Sequence, residues 1–282
     1  MSRDGDRSYL SFSADLGDPA MVSAYDELPL WSAMSGLVLL KHVPLRRDAV
    51  ILDLGCGTGF PLLEIAQRCG PASRACGIDM WTAALARAEQ KRRLLRVSDV
   101  ALTRGDAAAL PFRDGAFDLA VSNLGINNFA DPEAAFAECR RVLKPGGTIA
   151  LTTNLQGHMA EFYAVFEVTL SDLGDGAAIG ALRTHVDHRA TVARVAGAFE
   201  RTGLAVRRVH EESATMRFAD GTALLHDHFI KLGFLGAWKD VVAPDRRDET
   251  FARLEAALND EATQRGVLEL TIPIAYIEGT RG

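Results

Sequence analysis

Short apolar runs alternate with longer amphipathic stretches between residues 49 and 154. The short runs are rich in β-branched residues, whereas the longer stretches repeat apolar residues three and four positions apart, which is the spacing of a helix face. In chain order, the apolar runs are AVILDLG, RACGIDM, VALTRGD, FDLAVSNL and TIALTTN. This alternation predicts an α/β fold in which helices cover both faces of a parallel, doubly wound sheet.

The pattern is less regular after residue 154. Later helices are predicted in MAEFYAVFEVTL, HRATVARVAGAFERTGL, GTALLHDHFIKLGFLGAW and DETFARLEAALNDEATQ, and later strands in AVRRVHEESATMRF and VLELTIPIAYIEG. No tandem repeat or low-complexity linker separates these segments from the sheet. We therefore interpret the helices before residue 186 and between residues 219 and 265 as insertions that form a lid.

Charge and composition exclude several classes of partner. The chain has 282 residues and a formal charge of −6, so it offers no field that would attract a polyanion. Its densest basic run, KRRLLR, is typical of the solvated end of a helix, and we expect no nucleic-acid partner. The polar first 18 residues lack the apolar centre of a signal peptide, and LVLL near residue 40 is too short to span a bilayer. We expect a cytoplasmic protein with no membrane partner.

The cysteines do not form a recognisable metal or disulfide pattern. They are Cys56, Cys69, Cys76 and Cys139. No CxxC pair occurs among them, so reduced thiols are expected. Cys139 shares an apolar helix face with Phe136, which favours a small core residue over a ligand.

The histidines also give no clear metal site. His226 and His228 are two positions apart, and on a helix such residues point about 200 degrees from each other. His185 and His188 have the spacing of one helix face, but they lie on either side of a predicted N-cap at Asp187. We predict no bound metal.

A glycine-rich turn follows the first predicted strand, in ILDLGCGTGFPLLEIAQ. Such a turn brings bare backbone amides close to a ligand at the carboxyl edge of a sheet. Phe60 stands where a dinucleotide fingerprint would place its third glycine after Gly55 and Gly57. Asp53, at the end of the strand, would repel a pyrophosphate. A ligand with an ammonium or sulfonium charge fits this carboxylate better.

Polar residues end the next three predicted strands as well. Asp79 closes the second strand, where a carboxylate can accept both hydroxyls of a ribose. Asp106 follows the third strand and is positioned to accept a hydrogen bond from an adenine amino group, and the backbone amide of Ala107 would face a ring nitrogen of the same base. Asn123 ends the fourth strand, next to the position of a reacting group. Four such residues at successive strand ends predict a nucleoside-type ligand.

These residues resemble the class I S-adenosylmethionine-dependent methyltransferases, and specifically the bacterial small-molecule branch called methyltransferase type 11. The resemblance covers residues 50 to 154, and LELTIPIAYIEG resembles the final antiparallel strand of that fold. It implies a Rossmann-like, mostly parallel sheet with S-adenosyl-L-methionine as cofactor and S-adenosyl-L-homocysteine as product. The implied cofactor-binding residues are Asp53, Gly55, Cys56, Gly57 and Gly59 at the methionine end, Asp79 at the ribose, Asp106 and Ala107 at the adenine, Met80 and Trp81 against the adenosine, and Asn123.

Three parts of the chain follow from this resemblance. We expect an N-terminal helical cap over the cofactor site in residues 1–48 and a cofactor-binding core in residues 49–155. Residues 156–282 are expected to supply the helical lid insertions and the remaining core strands. The oligomeric state cannot be predicted, because no exposed stripe or heptad seam is apparent.

Residues outside the nucleotide core are the candidates for contact with the methyl acceptor. The candidate catalytic residues are Tyr25, His158 and Asn123, and the candidate substrate-binding residues are Trp31, Asn127, Asn128, Asn154 and Tyr163. For each aromatic residue the alternative is a place in the lid core, and for His158 it is a helix cap. SNLGINN lacks the Asn/Asp-Pro-Pro-aromatic pattern of nucleobase and amide N-methylating enzymes, so a small-molecule O, S or C nucleophile is expected.

Several functions stay open at this point. The second half resembles, more weakly, the biotin-pathway enzymes that methylate the free carboxyl of malonyl-acyl carrier protein, and quinone-ring C-methylating enzymes share the core motifs. A catalytically silent S-adenosylmethionine-binding module would carry the same residues. A nicotinamide oxidoreductase is disfavoured by Phe60 and Asp53.

Overall fold

A seven-stranded sheet organises the computed structural model, which describes residues 6–27 and 30–282. The strand order is β3-β2-β1-β4-β5-β7-β6. The first five strands pair in parallel, and β7 runs antiparallel to β5, with Thr148 opposite Thr280. The strands are β1 Val50–Leu54, β2 Arg74–Asp79, β3 Val100–Arg104, β4 Phe117–Asn123, β5 Leu143–Asn154, β6 Leu204–Phe218 and β7 Leu268–Arg281. The predicted Rossmann-like α/β fold with an antiparallel final strand is confirmed.

Helices connect the strands and continue beyond them. They are α1 Pro19–Glu27, α2 Leu30–His42, α3 Leu62–Cys69, α4 Thr82–Leu94, α5 Pro132–Val142, α6 Ala160–Asp172, α7 Gly176–Asp187, α8 Val192–Arg201, α9 Gly221–His226, α10 His228–Gly233, α11 Leu235–Asp240 and α12 Arg247–Arg265. α5 begins as its sequence predicts, because the Asp131 side chain accepts a hydrogen bond from the Ala134 N–H and Pro132 takes the first helical position. None of the helices in the described part of the chain combines the length and apolarity needed to cross a bilayer.

The chain divides into two compact units. The sheet unit contains Leu16–Leu155, Ala190–Glu212 and Ile274–Gly282, and the helical unit contains the residues up to Asp15 together with Gln156–Arg189 and Ser213–Pro273. The predicted core, residues 49–155, falls within the sheet unit. Within the predicted cap of residues 1–48, residues 1–5 and 28–29 lie outside the described part. The roles of cap and lid stay predictions.

The core of the sheet unit lies on the central parallel strands. Leu52 and Ile149 are inaccessible to solvent, as expected for strands that helices cover on both faces. Phe136 of α5 packs edge-on against Phe199 of α8, with ring centroids 4.8 Å apart. Cys139 is fully buried in the same cluster, so its predicted place in the core is confirmed.

Aromatic packing fills the centre of the helical unit. Trp238 of α11 is fully buried and stacks on Phe162 of α6 at a centroid distance of 4.0 Å. Phe251 of α12 packs against Phe166 of α6, with ring centroids 5.9 Å apart. Such large buried rings contribute much of a core's apolar area, so α6, α11 and α12 are held together mainly by this cluster.

Two local predictions about the histidine segments are wrong. GTALLHDHFIKLGFLGAW forms three short helices, because the Asp227 side chain accepts a hydrogen bond from the Ile230 N–H and starts a new helix at His228. His226 therefore belongs to a different helix from His228. Asp187 is the last residue of α7 instead of an N-cap, and Thr191 caps the following helix.

Candidate active site

The glycine turn after β1 has a backbone that only glycine adopts readily. Gly55, Gly57 and Gly59 have φ values of 72°, 50° and 94°, all in the left-handed region. The turn is fixed to β2 because the Gly55 and Cys56 N–H groups both donate to the Ile78 carbonyl, at 2.9 and 3.2 Å. Apart from its two chain neighbours, no described residue has an atom within 4 Å of the position of a Cβ on Gly57, so this side of the turn faces open space.

The carboxylate of Asp79, at the end of β2, holds this turn by hydrogen bonds. One oxygen accepts a hydrogen bond from the Gly57 N–H at 2.7 Å, and the other accepts from the Trp81 N–H at 2.7 Å. Both contacts use backbone donors, so Asp79 fixes the turn at the end of β2. A carboxylate can accept about four hydrogen bonds, which leaves capacity for the ribose contact that stays a prediction.

Asp53 lies at the end of β1 with no solvent exposure. No described residue offers either carboxylate oxygen a well-formed hydrogen bond. Burial, followed by the negative charge of Asp79, raises the pKa of the Asp53 carboxyl well above its usual range, and the backbone N–H of Leu62 opposes the shift. Burying a carboxylate without a partner is costly, so this position favours a positive charge nearby.

A cavity of about 190 Å³, which we call the loop cavity, opens over the glycine turn. It brings together the predicted turn residues with Tyr25 and Asn123. Asp53, Gly59 and Trp31 do not line it. Its walls are formed by Tyr25, Asp26, Ser32, Ala33, Gly55, Cys56, Gly57, Thr58, Phe60, Lys91 and Asn123.

A buried carboxylate that the sequence interpretation missed joins α1 to α4. The side chain of Asp26 accepts hydrogen bonds from Arg87 Nε at 2.9 Å and Lys91 Nζ at 2.6 Å, and it is 7% exposed. Burial opposes its ionisation, but hydrogen bonds from Lys91, Thr58 and Arg87 hold the pKa of Asp26 below its usual value. The four-residue spacing of Arg87 and Lys91 was the available sequence signal, since it places both cations on one face of α4.

Replacing Asp26 with asparagine is expected to lower the free energy of unfolding by about 1–3 kcal/mol, because two cations lose their charged acceptor. Since the folded pKa of Asp26 is lowered, this contribution exists above its ordinary value of 3.8 and disappears as pH falls through the folded pKa. Urea unfolding at neutral and acid pH measures both effects. Glu64→Gln is the matched control, because it breaks an exposed pair with Arg68 that contributes little. Equal stability of the two variants at neutral pH would contradict the prediction.

Asn123 joins α2 to the sheet at the edge of the loop cavity. Its Nδ2 donates to the Ser32 carbonyl at 2.9 Å, and its Oδ1 accepts from the Thr152 hydroxyl at 2.8 Å. The helix approaches closely because Gly36 has no side chain, and a Cβ there would lie 2.2 Å from the Phe60 ring. Asn123 thus positions α2, and its predicted catalytic role stays a prediction.

The other asparagines form a network at the end of β5. Asn127 donates to Asn154 Oδ1 at 2.6 Å and accepts from the Thr153 hydroxyl at 2.6 Å. Asn154 is buried, and its Nδ2 has no acceptor among the described residues. Asn128 is exposed. The free donor of Asn154 is the one feature of this network that fits its predicted role in binding a substrate.

The residues predicted for the adenosine lie around the ends of β2 and β3. Met80 is 62% exposed, which is unusual for a large apolar side chain and fits a surface that a ligand covers. Trp81 donates to the Leu16 carbonyl at 2.7 Å and packs edge-on against Tyr25, with centroids 5.4 Å apart. Their contact with an adenosine stays a prediction.

Asp106 and Ala107 have local structural roles. The Asp106 side chain is exposed and accepts a hydrogen bond from the Ala108 N–H at 2.9 Å, which closes a turn after β3. The methyl group of Ala107 belongs to the hydrophobic core of the sheet unit. Their predicted contacts with adenine stay predictions.

His158 and Tyr163 line a different cavity, of about 450 Å³, within the helical unit. His158 is 1% exposed, and burial, with the charges of Arg189 and His185, lowers its pKa to about 3. The Tyr163 hydroxyl lies 3.1 Å from His185 Nε2 and accepts a hydrogen bond from Trp238 Nε1 at 3.2 Å. The catalytic candidates are therefore divided: Tyr25 and Asn123 line the loop cavity, whereas His158 lines the cavity of the helical unit.

Comparison with known proteins identifies the domain around the glycine turn. The sequence matches the methyltransferase domain family over residues 52–151. It is 31% identical over 128 residues to a demethylmenaquinone methyltransferase of Staphylococcus aureus, covering 45% of this chain and 52% of that protein. The chain spans only 39% to 58% of the length of three curated relatives that it matches.

Solved structures share the fold over most of the chain. The YcgJ protein of Bacillus subtilis has a TM-score of 0.58 at 18% identity, covering 88% of this chain and 98% of that one. A geranyl diphosphate methyltransferase in complex with SAM has a TM-score of 0.54 at 17% identity, covering 98% and 95%. Residues 52–151 therefore match the methyltransferase domain family, and the chain shares its fold with these solved structures.

Proposed function

We propose that this protein transfers a methyl group from S-adenosylmethionine to a small-molecule acceptor. The observation that carries the proposal is the buried carboxylate of Asp53 beside a glycine turn whose Gly57 backbone faces an open cavity. A carboxylate that no described residue neutralises fits a ligand carrying an ammonium and a sulfonium. The methyltransferase domain match over residues 52–151 supports the same ligand.

The residues at the loop cavity fit this cofactor by their chemistry. The backbone of Gly55 and Gly57 would face its methionine end, Asp79 would accept its ribose hydroxyls, and the exposed side chain of Met80 would cover its adenine. When bound, S-adenosylmethionine supplies an electrophilic methyl group on a positively charged sulfur. The protein's own contribution is to orient the acceptor in line with that group and to exclude water.

The proposed acid–base groups are both uncharged at neutral pH. Burial, with the charges of Asp79 and Asp26, raises the pKa of Tyr25, so at neutral pH it is a phenol that can donate a hydrogen bond. His158, with a pKa of about 3, is a neutral imidazole at the same pH. Tyr25 therefore suits the orientation of an acceptor oxygen, and a general base is required only for an acceptor that arrives protonated.

Two relatives indicate the class of acceptor. Their names identify demethylmenaquinone and geranyl diphosphate as their substrates, which are small molecules with apolar parts. We infer an acceptor of that class, with a carbon, oxygen or sulfur nucleophile. The runner-up acceptor is the carboxyl of malonyl-acyl carrier protein. We also infer that the protein acts in the cytoplasm, because its four cysteines form no disulfides.

The direct test is a two-stage assay on the full chain. Calorimetry first measures binding of S-adenosylmethionine, and release of S-adenosylhomocysteine is then followed with quinols, phenols, small thiols, free carboxylic acids and malonyl-acyl carrier protein. We expect cofactor binding and turnover with one acceptor class. Binding without turnover on any of these acceptors would favour a silent binding module, and absence of cofactor binding would overturn the proposal.

Tyr25→Phe and His158→Ala are expected to lower turnover about five- to tenfold, the equivalent of one lost hydrogen bond, while cofactor affinity changes less. Tyr25 is proposed to act on an acceptor at the loop cavity, and His158 in the cavity of the helical unit. Initial rates with the identified acceptor, measured beside calorimetry, separate the two effects. His188→Ala, at an exposed position, is the control and should retain full activity. Unchanged rates in both variants would remove these residues from the site.

A further inference from the structure

Two histidines and a glutamate converge at the edge of the sheet unit. His42 is the last residue of α2, and His210 and Glu212 lie two positions apart on β6, so their side chains share one face of the strand. Glu212 Oε1 lies 3.1 Å from His210 Nε2 and 3.7 Å from His42 Nε2. All three ligand atoms fall within 4.8 Å of one another.

The packing of the two imidazoles is not explained by hydrogen bonding between them. Their ring centroids are 4.2 Å apart at an angle of 52°. His42 Nε2 is buried and has no hydrogen-bond partner among the described residues. A buried ring nitrogen without a partner is costly. His42 Nε2 lies 3.7 Å from Glu212 Oε1, so a ligand bound between these two atoms would satisfy it.

We propose that His42, His210 and Glu212 bind a divalent transition-metal ion, with Zn²⁺ the best fit. Two neutral imidazoles and one carboxylate form a common protein ligand set for Zn²⁺, at metal–ligand distances of about 2.0–2.2 Å. In a tetrahedral site, ligand atoms at those distances lie about 3.3–3.6 Å apart. The separations of 3.1 and 3.7 Å between Glu212 Oε1 and the two histidine Nε2 atoms bracket that range.

Solvent access is compatible with metal uptake, whereas two nearby cations, Lys41 and Arg208, oppose it. The side chains of His42, Glu212 and His210 are 15%, 33% and 42% exposed, so an ion can enter and keep water as a fourth ligand. Lys41 Nζ lies 2.6 Å from Glu212 Oε1 and would compete for that oxygen. Its side chain is 61% exposed and can turn away into solvent.

The bound ion would hold the end of α2 against β6. α2 also carries Ser32, whose carbonyl accepts the hydrogen bond from Asn123 at the loop cavity. The inferred role is therefore structural, and none of the three ligands lines the loop cavity. This inference does not depend on the proposed methyl transfer. It departs from the sequence-based expectation of no metal, which considered the spacing of the cysteines and the histidines that lie close together in sequence.

Titration of the untagged full chain with ZnCl₂, followed by calorimetry, tests the proposal. We expect one saturable site, an increase in melting temperature with Zn²⁺, and visible Co²⁺ absorption of a four-coordinate site. His210→Gln and Glu212→Gln should each weaken Zn²⁺ binding by at least about tenfold. Lys41→Gln should strengthen Zn²⁺ binding, because it removes the cation that competes for Glu212 Oε1. If Glu212 served only as the ion-pair partner of Lys41, no such increase would be expected.

His188→Gln serves as the control, since His188 is exposed and lies in the helical unit. It should leave Zn²⁺ affinity unchanged, and circular dichroism with urea unfolding reports folding in every variant. Absence of saturable Zn²⁺ binding would overturn the proposal. Equal binding by the wild-type protein and both ligand variants would also overturn it, because the ion would then bind elsewhere.

Discussion

Replacing Asp79 with asparagine is expected to weaken S-adenosylmethionine binding about 100-fold, through loss of a charged acceptor and of loop order together. The wild-type carboxylate accepts from the Gly57 and Trp81 N–H groups, each at 2.7 Å. Asparagine has one acceptor oxygen, so its amide N–H₂ would face one of these backbone donors. The turn would lose its fixed shape, and the proposed ribose contact would lose its charge. Calorimetry on the full chain measures the change in affinity.

Asp99→Asn is the matched control for this experiment, because it makes the same change of charge at an exposed position outside the predicted cofactor site. Its affinity should stay within a few-fold of wild type. If Asp79→Asn binds as well as wild type, the ribose assignment is wrong. If its stability falls while its affinity is kept, Asp79 serves only to hold the turn.

Asp53→Asn is expected to weaken cofactor binding about 10- to 100-fold and, in the same protein, to stabilise the ligand-free state by about 0.5–2 kcal/mol. The two effects have one cause. The carboxylate is buried and no described residue carries a positive charge that pairs with it, which destabilises the free protein and attracts a cationic ligand. Removing the charge removes both, which is the usual relation between stability and function at a strained site.

The pH dependence of this second prediction has a definite sign. The folded pKa of Asp53 is raised above its ordinary value of 3.8. Below 3.8 the carboxyl is protonated in both the folded and the unfolded state, so its ionisation does not affect stability there. The penalty grows as pH rises from 3.8 to the folded pKa and is constant above it. The stability difference between Asp53→Asn and wild type should therefore be small at acid pH and largest at high pH.

Chemical unfolding across this pH range, combined with calorimetry, tests the prediction. Asp99→Asn is the control, because Asp99 is exposed and the charge change is the same. It should alter neither stability nor affinity appreciably. An Asp53→Asn protein that is less stable than wild type at neutral pH would mean that Asp53 forms a stabilising contact in solution.

Much of the nucleotide-binding core could be predicted because its signals are local. Asp53 and Asn123 fall at strand ends, where the apolar run stops, and successive parallel strands end at the same edge of a sheet. Asp26 and Lys91 could not be paired in the same way. They are 65 positions apart, and their contact depends on how α1 and α4 pack.

The histidines also show that separation along the chain does not predict which side chains meet. His226 and His228 are close in sequence but lie on separate helices, because the Asp227 side chain starts a new one. His42 and His210 are 168 positions apart yet have ring centroids 4.2 Å apart. Spacing along the chain predicts a shared site only where one regular element carries both residues.

The sequence by itself determined the α/β fold, the glycine turn and the domain family, because hydrophobic periodicity and left-handed glycines act within a few residues of one another. The tertiary structure decided which side chains are buried and which meet: the Asp26 contacts with α4, the burial of Asp53, and the cluster of His42, His210 and Glu212. Each of these depends on burial and on contacts between distant elements, and no local pattern of residues encodes either quantity.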